Sequence, residues 1–295
     1  MVMIGWGSIL DPFVGCCRWF RTTTAPVEVV MVLVRLEMDG SGVGGGGGGG
    51  SRGRKLLQNK LSQTPLRGSN NWKLRESEEE EDSSGVQALK YIGGFDISFS
   101  KHHPSSACGT LVVLDFKTLD VLYEDSSIVT IDVPYVPGFL AFREAPVFVQ
   151  LLKKMQDSSH PFYPQLLMID GNGILHPRGF GSACHLGVLA DLPTIGVGKN
   201  LHHVDGLTNS RVRELLEAED NFNVDFVPLV GDSGNTLGAA IHSSKGSCKP
   251  IFVSVGHRVS LASAVEVVKR TCKYRVPEPI RQADIRSRDY LRKHH

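Results

Sequence analysis

QLLMIDGNGILHPRGFGSACHLGVLADLPTIGVGK, residues 165–199, decides the fold class. Gln165 to Asp170 is a short apolar run closed by a glycine-flanked turn, the pattern of a buried strand. Helical spacing follows from Ala183 to Leu192, and TIGVG, Thr194 to Gly198, is a second strand. Strand, helix and strand in succession predict parallel pairing. Asp170 ends the first strand and opens GNG, a turn where backbone can approach a ligand closely. Lys199 closes the second, at the end where open mixed sheets place their ligands.

Upstream, YIGGFDISFS (Tyr91 to Ser100), GTLVVLDF (Gly109 to Phe116) and LDVLYEDSSIVTID (Leu119 to Asp132) read as three strands in an antiparallel meander. Phe139 to Gln156 carries helical spacing. Downstream, Thr236 to His242 and Ile251 to Val255 read as strands and Leu261 to Tyr274 as a helix. The sum is an α/β domain with a mixed sheet flanked by helices, as in ribonuclease-H-like folds. Residues 1–88 differ in texture: a glycine-only stretch (Gly44 to Gly50) and an acidic run (Glu78 to Asp82) predict a disordered N-terminal extension, leaving 89–295 as the folded domain.

The chain has 295 residues, 41% of them hydrophobic, enough for a good-sized core. Lys plus Arg (32) nearly balance Asp plus Glu (31), so any basic surface for nucleic acid must be local. Six cysteines without C-x-x-C spacing suggest neither a zinc site nor a disulfide framework and fit an intracellular setting. No apolar run reaches the roughly eighteen residues of a membrane span.

Asp96 interrupts an apolar strand, where an unpaired buried carboxylate is strongly disfavoured. With Asp170 it offers two strand-borne carboxylates to one hard cation, for which oxygen ligands and retained waters suit magnesium; a turn cap or a core hydrogen bond is the alternative for each. Glu144 follows PYVPGFLAFR at the start of a helix, where it could complement the dipole or pair with Arg143. Pro134 and Pro137 stiffen the loop that carries Tyr135, which is either a stacking platform for a base or an aromatic packed on the core edge. His176 sits in a glycine-rich candidate binding loop. Lys199 can meet a phosphate or simply be a solvated strand-end lysine. His257, in GHRVS, is a candidate general acid or base, since an unperturbed imidazole titrates at about 6.5.

Taken in order, FD in a first strand, PYVPGFLAFRE, MIDGNGILHPRGFG, TIGVGK, GHRVS and RVPEPIRQAD resemble the endonuclease V family from about Tyr91 to the C-terminus. The resemblance implies a ribonuclease-H-like nuclease in which Asp96 and Asp170 bind magnesium, with manganese able to substitute, and Glu144 completes the cluster. It implies that His257 stands near the metals and that Lys199 neutralises the phosphate. Tyr135, with Pro134, Val136 and Pro137, matches the wedge that fills the gap left by a turned-out inosine. Leu140, Gly171, Gly181 and Gly198 match positions that line the hypoxanthine pocket, largely through backbone groups, and His176 is counted among the nucleic-acid-binding residues. The implied activity is cleavage at the second phosphodiester 3′ to inosine, in single-stranded RNA by preference and possibly in DNA. A monomer in the cytoplasm or nucleus is expected. Family members open with a long amphipathic helix, whereas Arg52 to Lys90 has no continuous apolar stripe. An inosine-binding module with impaired catalysis is therefore the alternative.

Overall fold

The computed structural model describes residues 72–73, 87–103, 105–131, 136–218, 226–243 and 249–294. Most of the 1–88 segment, and so the expectation of disorder made for it, lies outside these residues. Within it, two short strands, β1 (Trp72–Lys73) and β2 (Gln87–Ala88), pair in parallel.

Three strands then meander as predicted: β3 (Tyr91–Phe99), β4 (Ser106–Asp115) and β5 (Val121–Thr130), with β3–β4 and β4–β5 both antiparallel. Strand alternation separates their faces. Ile92 joins Val112, Met168 and Val265 on one side of the sheet. On the other, Phe95 meets Phe148 edge to face, with ring centroids 4.5 Å apart. Phe148 belongs to helix α1 (Ala141–Asp157), which contributes Leu151 and Met155 to the same cluster.

The stretch that opened the reading folds as β6 (Leu166–Asp170), helix α2 (Ser182–Ala190) and β7 (Thr194–Gly198), and β6 pairs in parallel with both β3 and β7. Helix α2 stops short of Leu192 because Asp191 turns left-handed, with φ 50°. Helix α3 (Asn209–Glu217) leads to β8 (Val227–Val230), β9 (Thr236–Ile241) and β10 (Ile251–His257), followed by α4 (Leu261–Thr271) and α5 (Glu278–His294). The eight-stranded order is β5-β4-β3-β6-β7-β10-β9-β8. Helices α1 and α2 cover one face and α4 and α5 the other, giving the mixed, helix-flanked sheet that the sequence predicts. Among the described residues, no helix is long and apolar enough to cross a membrane.

Helix α5, read from sequence only as a basic tail, packs on β3 and β4 through the buried stripe Ile280, Ala283, Ser287 and Leu291. Its first turn comes so close to β3 that a Cβ at Gly94 would stand 2.1 Å from the Pro279 carbonyl oxygen. Glycine at 94 is what permits the approach.

Candidate functional site

Parallel pairing places Phe95 of β3 beside Ile169 of β6. One step further along both strands, Asp96 and Asp170 adjoin, and alternation turns both toward the α5 face. Lys199, just beyond β7, joins them: its Nζ donates to Asp170 Oδ2 at 2.5 Å. Glu144 enters from the first turn of α1. Although it keeps some solvent contact, burial pushes its carboxyl up to about 8, and the charges of Asp96 and Asp170 add to the effect. Burial also raises Asp96; a hydrogen bond from Ser287 opposes this, while Asp284 and Asp170 push the same way as burial. Asp284 thus comes within electrostatic reach of the cluster from α5. Sequence reading passed over it, because an acid in a helix dense with charge shows no sign of where it points.

Among the described residues, no three His, Cys, Asp or Glu side chains converge tightly enough to hold a metal ion. Asp170 is taken up by Lys199 and Asp96 by Ser287. The donor set nevertheless fits a hard divalent cation: Glu144, Asp96, Asp170 and Asp284 are all carboxylates, and Glu144 and Asp96 are raised by burial together with neighbouring negative charge.

Beside the carboxylates, the 171–181 loop folds back on the sheet. Gly171 leaves β6 at φ 143°, a conformation that a side chain would strain, and its N–H donates to the Val197 carbonyl at 3.1 Å. Gly181 and Gly198 both crowd Asn172, whose Oδ1 is buried without a hydrogen-bond partner among the described residues. Asn172 was also missed from sequence. Arg178 bridges to the preceding segment: its guanidinium donates to the Gly138 carbonyl and lies 3.9 Å from the Phe139 ring centroid. Val136 packs onto Phe139, Phe142, Phe180 and Cys184; Leu140 is partly exposed at the entry to α1, and Pro137 is exposed. His176 is buried, and burial, Arg178 and His202 together hold its imidazole down at about 4. It is therefore a neutral ring whose Nδ1 accepts from the Arg178 N–H at 3.3 Å. Pro134 and Tyr135, the tip expected to act as a wedge, lie outside the described residues.

His257 is not brought to the carboxylates. Strand β10 runs antiparallel to β7, pairing Phe252 with Gly198 and His257 with Thr194. That seats His257 at the opposite end of β7 from Lys199, about 16 Å away along the strand at a rise of about 3.3 Å per residue. There it stands 3.7 Å from Asp191, which Arg258 also binds at 2.9 Å. The acid–base role expected for it is withdrawn.

With this geometry in view, comparison with known proteins is specific. A sequence profile described as Endonuclease V matches residues 72–285. The endonuclease V of Mus musculus is 49% identical over 223 residues, which cover 74% of this chain and 65% of that protein. The crystal structure of the human protein superposes with TM-score 0.68 at 43% identity, covering 82% of this chain and 98% of that one. The Ciona intestinalis protein, solved with a DNA containing an inosine followed by a ribo-adenosine, superposes with TM-score 0.72 at 33% identity, covering 82% and 97% respectively.

Proposed function

The chain belongs to the endonuclease V family, and on that premise we propose that it is a divalent-metal-dependent endonuclease that recognises inosine and hydrolyses the strand on its 3′ side. The observation that carries the reading is the adjoining of Asp96, within β3, and Asp170, at the end of the parallel strand β6, with Glu144 and Asp284 in electrostatic reach.

Asp96, Asp170, Glu144 and Asp284 would hold magnesium, or manganese in its place. The ion would supply Lewis-acid activation of water and neutralisation of the scissile phosphate. Lys199, now paired with Asp170, sits where its ammonium can exchange that carboxylate for a substrate phosphate. Leu140, Gly171, Gly181 and Gly198 form the recognition pocket largely through backbone, and the neutral His176 offers no charge to a base edge. Hypoxanthine lacks guanine's exocyclic amine, so a close-fitting backbone pocket excludes guanine by size. Tyr135, with Pro134, Val136 and Pro137, would fill the stack vacated by the inosine.

Within this reading the preferred substrate is single-stranded RNA, with DNA accepted, and the cut falls at the second phosphodiester 3′ to inosine. The protein acts as a monomer. Support for inosine comes from the Ciona relative's bound strand. Matched RNA and DNA strands carrying one inosine or one guanosine, incubated with the protein and magnesium, provide the test. Inosine strands should be cut about a hundredfold faster or more, with RNA ahead of DNA. Equal cutting of inosine and guanosine strands would leave a general nuclease as the reading.

A further inference from the structure

We infer that Ser287, in the middle of α5, is a positioning residue that orients Asp96 for the metal, an inference resting on the proposal that Asp96 is a ligand. Ser287 is fully buried. Its hydroxyl lies 2.7 Å from Asp96 Oδ2, 2.7 Å from Ser98 Oγ and 3.0 Å from the Asp284 carbonyl oxygen. A hydroxyl has one proton to give. Asp96 and Ser98 are equally near, but the carboxylate can only accept and is charge-assisted, so Ser287 donates to Asp96 and leaves Ser98 to donate to Ser287. Ser98 Oγ also lies 3.3 Å from Asp96 Oδ2, so the two hydroxyls and the carboxylate close a small polar cluster in which the shorter path runs from Ser98 through Ser287 to Asp96.

A serine inside a helix commonly satisfies itself on the carbonyl three or four residues back and needs nothing more. Ser287 has that carbonyl within reach, yet its nearest partners are two side chains of β3. Pinning Oδ2 fixes the Asp96 rotamer and with it the direction in which Oδ1 is presented. Groups that hold a metal ligand in this way are worth about 10- to 100-fold in metal affinity or activity. Asp284 lies one turn earlier on α5, so one helix delivers both the fourth carboxylate and the hydroxyl that orients the first.

The experiment uses the full chain and two measurements: manganese binding by calorimetry without substrate, and the magnesium concentration giving half-maximal cleavage of an inosine RNA. Ser287→Ala should weaken both by about tenfold, with Ser287→Thr restoring them to within about threefold. Ser98→Ala, which removes the second hydroxyl with its longer contact to Asp96, should shift both in the same direction by about threefold. A lowered melting temperature with unchanged metal constants would make Ser287 merely structural and overturn the inference. If Ser287→Ala does not fold, Ser287→Cys, of similar size but a weaker donor, replaces it, and unchanged metal constants in that variant overturn the inference equally. Asp96→Ala separates the two levels of the account. If it still binds manganese normally, the assignment of Asp96 as a ligand fails; if it loses binding while Ser287→Ala binds as wild type does, only the inference fails.

Discussion

His185 is sealed against Phe142, with ring centroids 4.7 Å apart, and against Phe180, beneath the segment that leads into α1. Its Nε2 has no hydrogen-bond partner among the described residues, and burial holds its imidazole down at about 4. Unfolded, the same ring titrates near 6.5, so between these values the unfolded chain binds the extra proton and the native chain does not. Stability is therefore lost as pH falls from about 6.5 toward 4, by up to about 3 kcal/mol for this one group. His185→Leu should flatten the fall in melting temperature between pH 7 and pH 5; an unchanged fall would place the acid sensitivity elsewhere. Residues differ in how openly sequence declares them. Asp96 and Asp170 stand out because a carboxylate in an apolar strand demands a reason, and the structure sets them side by side. Asp284 and Ser287 do not, since a charged helix hides its buried stripe. His257 misleads because nothing in GHRVS records that its strand runs against β7.

Among the elements, those with strong periodicity were legible: the β3–β4–β5 meander, α1, the β6–α2–β7 unit and α4 appear where apolar spacing puts them. Helix α3 and β8, which bury few residues, were not. Nor was α5, which beyond its buried first turn keeps only Ala283, Ser287 and Leu291 buried, a stripe too narrow to outweigh its many charges. Yet α5 is the element on which the site most depends, and its seat is decided on the opposite strand. Gly94→Ala would drive a methyl into the Pro279 backbone. Backbone cannot yield as a flexible side chain does, so urea unfolding should show a loss of about 3 kcal/mol or more. A variant as stable as wild type would mean that α5 is not held where the structure has it.

At the scale of the whole molecule, the sheet changes character across its width. The parallel pairs β3–β6 and β6–β7 lie at its centre, with antiparallel strands on both flanks. Parallel strands point the same way, so where β6 and β7 stop beside the still-running β3 the middle of the sheet brings Asp96, Asp170 and Lys199 together. Helices from opposite faces add Glu144 and Asp284 to that group. The 171–181 loop, tied by Arg178 to the 136–140 segment, stands beside the carboxylates as a separate wall. Under the proposed function, a strand whose inosine enters that wall would run on before it meets the acids, which is the physical sense of a displaced cut. The chemistry proposed with it would be attack on phosphorus by activated water, with the 3′ oxygen leaving. The most direct test is to map, at nucleotide resolution and with end-group analysis, the products from an RNA carrying one inosine, using wild type beside Asp96→Ala and Asp170→Ala. The account predicts cleavage at the second phosphodiester 3′ to inosine, with 3′-hydroxyl and 5′-phosphate ends, reduced about a thousandfold or more in either variant, the scale of several kcal/mol of lost charge stabilisation. A 2′,3′-cyclic phosphate at the cut, or near wild-type rates in either variant at saturating magnesium, would contradict it.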